Sequence, residues 1–155
     1  MAEALRRAGR AVAGAIVVGL AFLPVSQAAA VSRHYLCFFA QDDATATDRC
    51  RGVLAEFAAA WKRLAEGTEI PFYGDRTPLP PHRYRVEVQG HADASHSPLM
   101  AHQIALRRAL AVADEIVRLG VPTELVTVIG FGNSHPLISA DGAEPQNRRV
   151  ELVMR

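Results

Sequence analysis

Three short motifs contain the charged side chains best suited to binding a ligand or to catalysis. They are Gly90-His91-Ala92-Asp93, Arg108-Ala109 and Asn147-Arg148-Arg149. A carboxylate accepts hydrogen bonds from an ammonium group, and a guanidinium group matches a carboxylate through two parallel hydrogen bonds. Asp93 and Arg108 therefore predict a site for a zwitterion, provided that the fold brings the motifs together.

Histidines near Asp93 suggest a second kind of site. His91, His96 and His102 lie close to it in the sequence, and imidazole and carboxylate groups suit zinc and other first-row metals. Their spacing matches no closed structural metal site. A hydrolase triad with Ser95 is disfavoured, because no nucleophile-elbow sequence surrounds that serine and triad members converge from separate elements. We therefore predict a protein that is not an enzyme and has no metal ligands and no cofactor.

The pattern of apolar residues predicts six elements that position these motifs. The predicted strands are 34–39, 83–89, 125–129 and 149–155, and the predicted helices run from Thr45 or Thr47 to Gly67 and from Ser97-Pro98 to Gly120. The order is β-α-β-α-β-β. It predicts a two-layer α+β sandwich with both helices on one mixed sheet.

Arg108 is the most informative residue of the second helix. It falls within an apolar stripe, whereas Arg107 and Arg118 fall outside it. The other residues of that stripe are Ile104, Ala105, Ala109, Val112, Ile116 and Leu119. A buried arginine needs a partner, and Asp93 is the natural candidate because it precedes this helix. The alternative is an arginine whose head group reaches water, or a purely structural ion pair.

Arg148 precedes the last predicted strand, and Arg149 begins it. Arg148 either lines the site or places a charge at the sheet edge. Arg149 alternates with the apolar residues Val150, Leu152 and Met154, so we predict that it faces solvent.

The first 30 residues are typical of a secretory signal. Arg6, Arg7 and Arg10 precede an apolar run from Ala11 to Val25, and small residues follow. We predict cleavage after Ala28 or Ala30. The alternative is an uncleaved membrane anchor, for which the run is short.

A single domain of about 125 residues would remain, residues 31–155. The segment 1–30 holds three of 17 basic and one of 16 acidic residues, which leaves 14 basic and 15 acidic. A near-neutral domain argues against nucleic acid as a partner. No further membrane span is predicted.

Two cysteines in an exported chain indicate a disulfide. Cys37 lies in the first predicted strand and Cys50 at the start of the first predicted helix, so a bridge would join these elements. The alternative is two reduced cysteines packed as small apolar groups.

The ordered set of motifs resembles the OmpA/Pal/MotB-type peptidoglycan-binding domain over most of residues 34–155. The matching positions are Gly90-His91-Ala92-Asp93, Ile104, Arg108-Ala109, Val112, Ile116, Gly120-Val121, Gly130-Phe131-Gly132, Pro136 and 147–152. The resemblance implies non-covalent binding of the diaminopimelate-containing peptide stem of peptidoglycan. It implies that Asp93 holds the ligand ammonium and Arg108 its carboxylate. We also predict Ala92 and Arg148 among the ligand-binding residues.

This sequence departs from the family pattern near that site. Ala92 stands where the family usually has Thr, Ala101 where it has Asn, and Ile104-Ala105 where it has Leu-Ser. A glycine expected after Asp93 is replaced around Ser95-His96. Loss of the Asn removes polar groups that would order the binding loop.

The resemblance implies a protein of the periplasm, associated with peptidoglycan and the outer membrane, that tethers or organises the envelope. The alternative is a scaffold of the same fold with weak or lost ligand binding. It would contact envelope proteins through Phe72, Tyr73 and the proline-rich segment around them.

Overall fold

The computed structural model describes residues 35–68 and 84–155. Its elements are β1 (Tyr35–Phe38), α1 (Asp48–Ala65), β2 (Val86–His91), α2 (Pro98–Arg118), β3 (Val126–Gly132) and β4 (Arg149–Met154), with 3-10 turns at Thr123–Leu125 and Pro145–Asn147. The predicted order is confirmed. The predicted signal segment and the Phe72–Tyr73 region lie outside the described residues. None of the helices in the described ranges is long and apolar enough to span a membrane.

The four described strands form one mixed sheet in the order β1-β4-β2-β3. Strand β4 is antiparallel to both β1 and β2, whereas β2 and β3 are parallel. The carboxyl ends of β1 and β2 therefore lie at the same sheet edge as the amino end of β4. The segments that follow Phe38 and His91 meet there with the segment that precedes Arg149.

Strands β2 and β3 both end later than the sequence predicted. The predictions that Gly90 ends β2 and that β3 ends at Ile129 are wrong, because the two strands stay paired up to His91 and Gly132. The register shifts between Gly90 and His91. Glycine weakens an isolated strand. Here β2 pairs with β3 on one side and with β4 on the other, and these hydrogen bonds continue through Gly90.

The helices begin and end where their capping residues predict. The side chain of Thr47 accepts a hydrogen bond from Cys50 N at 3.2 Å, and that of Ser97 accepts one from Met100 N at 3.4 Å. Each hydroxyl satisfies a backbone donor that the first turn leaves unpaired. Gly67 and Gly120 follow the helix ends with φ of +70° and +104°, a conformation that favours glycine.

The core lies between the helices and one face of the sheet. It contains Leu54 and Phe57 of α1 and Val112 and Ile116 of α2, together with Val86, Val88, Val150 and Leu152 of the sheet. Each of the larger apolar side chains contributes about 1.5–3 kcal/mol on full burial. This packing confirms the predicted two-layer α+β sandwich.

Gly90 fixes how closely α2 approaches the sheet. A Cβ atom added to Gly90 would lie 2.0 Å from the carbonyl oxygen of Ala105. Only glycine therefore allows the backbone of α2 to rest on β2. This contact places Arg108, one turn further along the helix, at the end of β2.

A disulfide joins Cys37 of β1 to Cys50 of α1, with the two Cα atoms 4.9 Å apart. The predicted pairing is confirmed. It fixes the edge strand β1 to the helix that covers it.

Candidate functional site

Asp93 lies just beyond β2 with only 2% of its surface exposed. Four donors surround its carboxylate. Oδ1 accepts from Ser95 Oγ at 2.5 Å and from Ser95 N at 3.4 Å. Oδ2 accepts from Arg148 Nη1 at 2.9 Å and from Glu144 N at 3.3 Å. Burial opposes ionisation, but the hydrogen bonds from Ser95 and Arg148 outweigh it and lower the pKa of Asp93.

Arg108 is 1% exposed, which confirms that it points inward from α2. Its Nε donates to Asp43 O and its Nη2 to Ala40 O, both at 2.8 Å, and its Nη1 donates to His91 O at 3.4 Å. Its Cζ lies 5.4 Å from the ring centroid of Phe39. Burial, followed by the charge of a neighbouring arginine, lowers the pKa of Arg108 to about 10, so it stays protonated at neutral pH.

The prediction that Asp93 is the direct partner of Arg108 is wrong. Asp93 forms its ion pair with Arg148, and Arg108 donates to backbone carbonyls. Those carbonyls belong to residues 40–43, between β1 and α1, where no side-chain pattern signals them. The two charges still act on each other, because the negative charge of Asp93 raises the pKa of Arg108.

Arg148 lies between Asp93 and the segment that follows β1. Besides its contact with Asp93, its Nε donates to Phe39 O at 3.2 Å. Its side chain is 13% exposed. Arg148 thus contacts Asp93 directly, and its place among the ligand-binding residues stays a prediction.

Arg149 is buried, with 4% of its surface exposed, so the prediction that it faces solvent is wrong. Its guanidinium pairs with Glu151 at 2.7 Å and also donates to His135 O at 3.3 Å. The alternation correctly places Arg149 on the face of the sheet away from the helices. The segment around His135 covers that face at this position, which periodicity alone does not reveal.

His91 is the buried polar residue whose environment sequence reasoning missed. It is 4% exposed, and its ring stacks on that of Phe131 with centroids 5.3 Å apart. Its Nε2 lies 3.8 Å from Glu151 Oε1, too far for a hydrogen bond. Burial and the charge of Arg149 lower the pKa of His91 to about 4. Phe131 is far from His91 in the sequence, so no local pattern signalled this contact.

Ala92 and Ala101 pack together at the site. With Ile104 and Ala105 they form a small buried apolar cluster. The departures from the family pattern are therefore neighbours in space, and three of these four apolar residues, Ala92, Ala101 and Ala105, stand where the resemblance implies a polar side chain. Ala92 carries no polar side-chain group, and its backbone N donates to Gly132 O at 2.8 Å.

A half-buried histidine and an exposed aspartate meet near the site. His96, three residues after Asp93, contacts Asp42 across the gap between their segments. Asp42 has a φ of +58°, which is uncommon for a residue other than glycine. In the described ranges, no three His, Cys, Asp or Glu side chains are grouped so that they could hold a metal ion.

Comparisons with known proteins agree with this architecture. Residues 79–149 match the family model described as the OmpA family. The chain carries an OmpA-family domain. An outer membrane protein of Gluconacetobacter diazotrophicus is 33% identical over 131 residues, which cover 79% of this chain and 30% of that protein. The peptidoglycan-associated lipoprotein of Brucella melitensis is 34% identical over 74 residues, 46% of this chain and 44% of the lipoprotein.

The OmpA-family domain also resembles solved structures. The peptidoglycan-associated lipoprotein from Burkholderia pseudomallei superposes with a TM-score of 0.62 at 19% identity, covering 84% of this chain and 98% of the other. This likeness shows the fold. The chain spans less than half the length of the two sequence relatives named above. The OmpA family consists of binding and structural proteins, in agreement with the prediction that the chain is not an enzyme.

Proposed function

We propose that this OmpA-family domain binds peptidoglycan non-covalently by holding the zwitterionic end of diaminopimelate in a peptide stem. The observation that carries the proposal is the burial of two opposite charges, Asp93 and Arg108, where the ends of β1, β2 and β4 meet. Relatives named for their association with peptidoglycan support it.

The chemistry of the two side chains suits the two ends of a zwitterion. The carboxylate of Asp93 would accept from the ligand ammonium. Arg108 would donate to the ligand carboxylate through N–H groups on Nη1 and Nη2 that remain after its present bonds, because each of these nitrogens carries two hydrogens. Residues 40–43, which supply two of its carbonyl partners, lie at the surface. Lifting this segment would expose little apolar area.

The place of action follows from the proposed ligand. We propose that the first 30 residues direct export and that residues 31–155 work in the periplasm, at the peptidoglycan layer and the outer membrane. Relatives named as outer membrane proteins and peptidoglycan-associated lipoproteins support this location.

A scaffold role is the second candidate, and one observation favours it. Asp93 and Arg108 already have partners within the chain, so the two charges would be stable without a ligand. In that case the domain would contact other envelope proteins.

The test compares two adjacent arginines on α2. Asp93→Asn and Arg108→Ala should each weaken binding to purified sacculi about 30-fold or more, because a ligand charge would lose its desolvated partner. Arg107→Ala should bind as the wild type does, since Arg107 is exposed on the same helix. Binding is measured by co-sedimentation of the purified protein with sacculi.

The possible outcomes separate the two functions. Equal losses at Arg107 and Arg108 would indicate diffuse electrostatic attraction, and unchanged binding in all variants would favour the scaffold. Each variant is checked by circular dichroism and thermal melting, because a broken buried pair can unfold a domain. If Arg108→Ala does not fold, Arg108→Lys keeps the charge and removes the planar fork, and it should still bind more weakly.

A further inference from the structure

The carboxylate of Asp93 has no accepting site left for a ligand. Each of its two oxygens already accepts two hydrogen bonds, which uses the roughly four lone-pair positions of a carboxylate. The residue is also 2% exposed. An ammonium group can therefore reach Asp93 only if one of the present donors leaves.

Arg148 is the donor best able to leave. Ser95 is held two residues from Asp93 by the chain itself, and Glu144 contributes a neutral backbone N–H. Arg148 is the cation among the four donors, and its side chain is partly open to water. Exchange of one cation for another keeps the charge at the buried carboxylate balanced. If the ligand replaced a neutral donor instead, Asp93 would contact two cations, Arg148 and the ligand ammonium, with the charge of Arg108 close by.

We propose that Arg148 occupies the ammonium position of the site in the free protein and that the ligand displaces it from Asp93. This inference rests on the proposed function and concerns how that site opens. It makes Arg148 a competitor of the ligand rather than one of its binding partners.

The second contact of Arg148 extends this effect to Arg108. Arg148 Nε donates to Phe39 O, and the residues directly after Phe39 supply the carbonyls that Arg108 holds, Ala40 O and Asp43 O. Displacement of Arg148 thus releases one anchor of the segment over Arg108. Arg148 thus acts on both parts of the site, on Asp93 directly and on Arg108 through the segment that follows Phe39. A ligand cation that replaces Arg148 frees both parts.

The exchange also defines which ligands fit. A diaminopimelate residue with a free amine brings the cation that replaces Arg148. An acylated amine brings a neutral amide, which cannot balance the charge of Asp93. The site should therefore select stems whose diaminopimelate amine is free.

Calorimetric titration with soluble meso-diaminopimelate tests the proposal. Arg148→Gln should bind at least fivefold more tightly than the wild type, because the competing cation is gone. Arg118→Gln is the matched control, since Arg118 is an exposed cation at the end of α2 and its loss should leave affinity unchanged. Di-N-acetylated diaminopimelate, which keeps no free amine, should bind the wild type at least tenfold more weakly.

Each outcome has a distinct meaning. Equal or weaker binding by Arg148→Gln, with a wild type that binds, overturns the role of Arg148 and leaves the proposed function standing. Absence of binding by every variant overturns both. If Arg148→Gln does not fold, the Nε resonance of Arg148 in the wild type is followed by NMR during the titration. A large shift supports displacement, and an unchanged resonance contradicts it.

Discussion

Arg108 shows how a single residue can be buried with its charge. Desolvation of an isolated guanidinium costs several kcal/mol. Here hydrogen bonds to three carbonyl oxygens and a contact with an aromatic ring offset that cost. The helical period of 3.6 residues was enough to predict that Arg108 points inward. Its partners could not be predicted, because backbone carbonyls in a loop carry no residue-type signal.

His91 makes the stability of the domain depend on pH. Its pKa in the folded protein is about 4, below the ordinary value of 6.5, so the unfolded chain takes up a proton first as pH falls. The free energy of unfolding should fall by up to about 3 kcal/mol between pH 6.5 and pH 4. The groups that face this ring are Arg149 and Glu151 of β4 and His135 of the covering segment.

Urea denaturation of wild type and His91→Phe at several pH values measures this effect. The phenylalanine variant should lose most of the pH dependence in this window, because it keeps a ring beside Phe131 and cannot be protonated. An equal slope in both proteins would show that another group is responsible. Asp93 acts at lower pH, since its lowered pKa contributes stability that is lost only as pH falls below about 4.

At the scale of elements, the close contact of α2 with β2 determines the site. The sequence predicted both elements, the cap Ser97 of α2 and either Thr45 or Thr47 as the cap of α1, because hydroxyl caps and hydrophobic periods are local signals. It did not predict that β2 continues through Gly90, since a glycine gives the same local signal in a strand and at its end. The reason for this glycine is a neighbour distant in sequence, the Ala105 carbonyl.

Two glycine substitutions test this contact. Gly90→Ala should destabilise the domain by about 3 kcal/mol or more, because its obstacle is backbone rather than a movable side chain. Gly52→Ala is the control. It lies on the exposed side of α1 with nothing within 4 Å of an added Cβ, so it should stabilise the domain by about 0.5–1 kcal/mol. Chemical denaturation measures both, and a Gly90→Ala variant as stable as the wild type would contradict the described packing.

At the scale of the whole molecule, the strand order brings distant segments together. Phe39, Asp93 and Arg148 follow or precede three strands that are neighbours in the sheet but not consecutive in the chain. The local patterns predicted the elements, and the family resemblance predicted their common architecture. Strand order and the pairing of Asp93 with Arg148 depend on long-range contacts that one sequence does not reveal.

The disulfide should contribute strongly to the stability of this small domain. Cys37 and Cys50 are 13 residues apart, and closure of a loop of that size contributes about 3 kcal/mol in the chain-entropy description. Reductant should therefore lower the melting temperature by several degrees, as measured by differential scanning calorimetry. A Cys37→Ala/Cys50→Ala double variant should melt at the lower temperature with or without reductant. Two free thiols in the mass spectrum of protein isolated from the cell envelope would contradict the bridge.

The same disulfide has a consequence for ligand entry. The chain between Cys37 and Cys50 includes residues 40–43, which cover Arg108. Both ends of this cover are covalently anchored, so it can swing outward but cannot fray from β1. A tethered cover samples few open shapes, and the conformational entropy lost when it settles over a ligand is correspondingly small. The bridge thus preorganises the entrance as well as stabilising the fold.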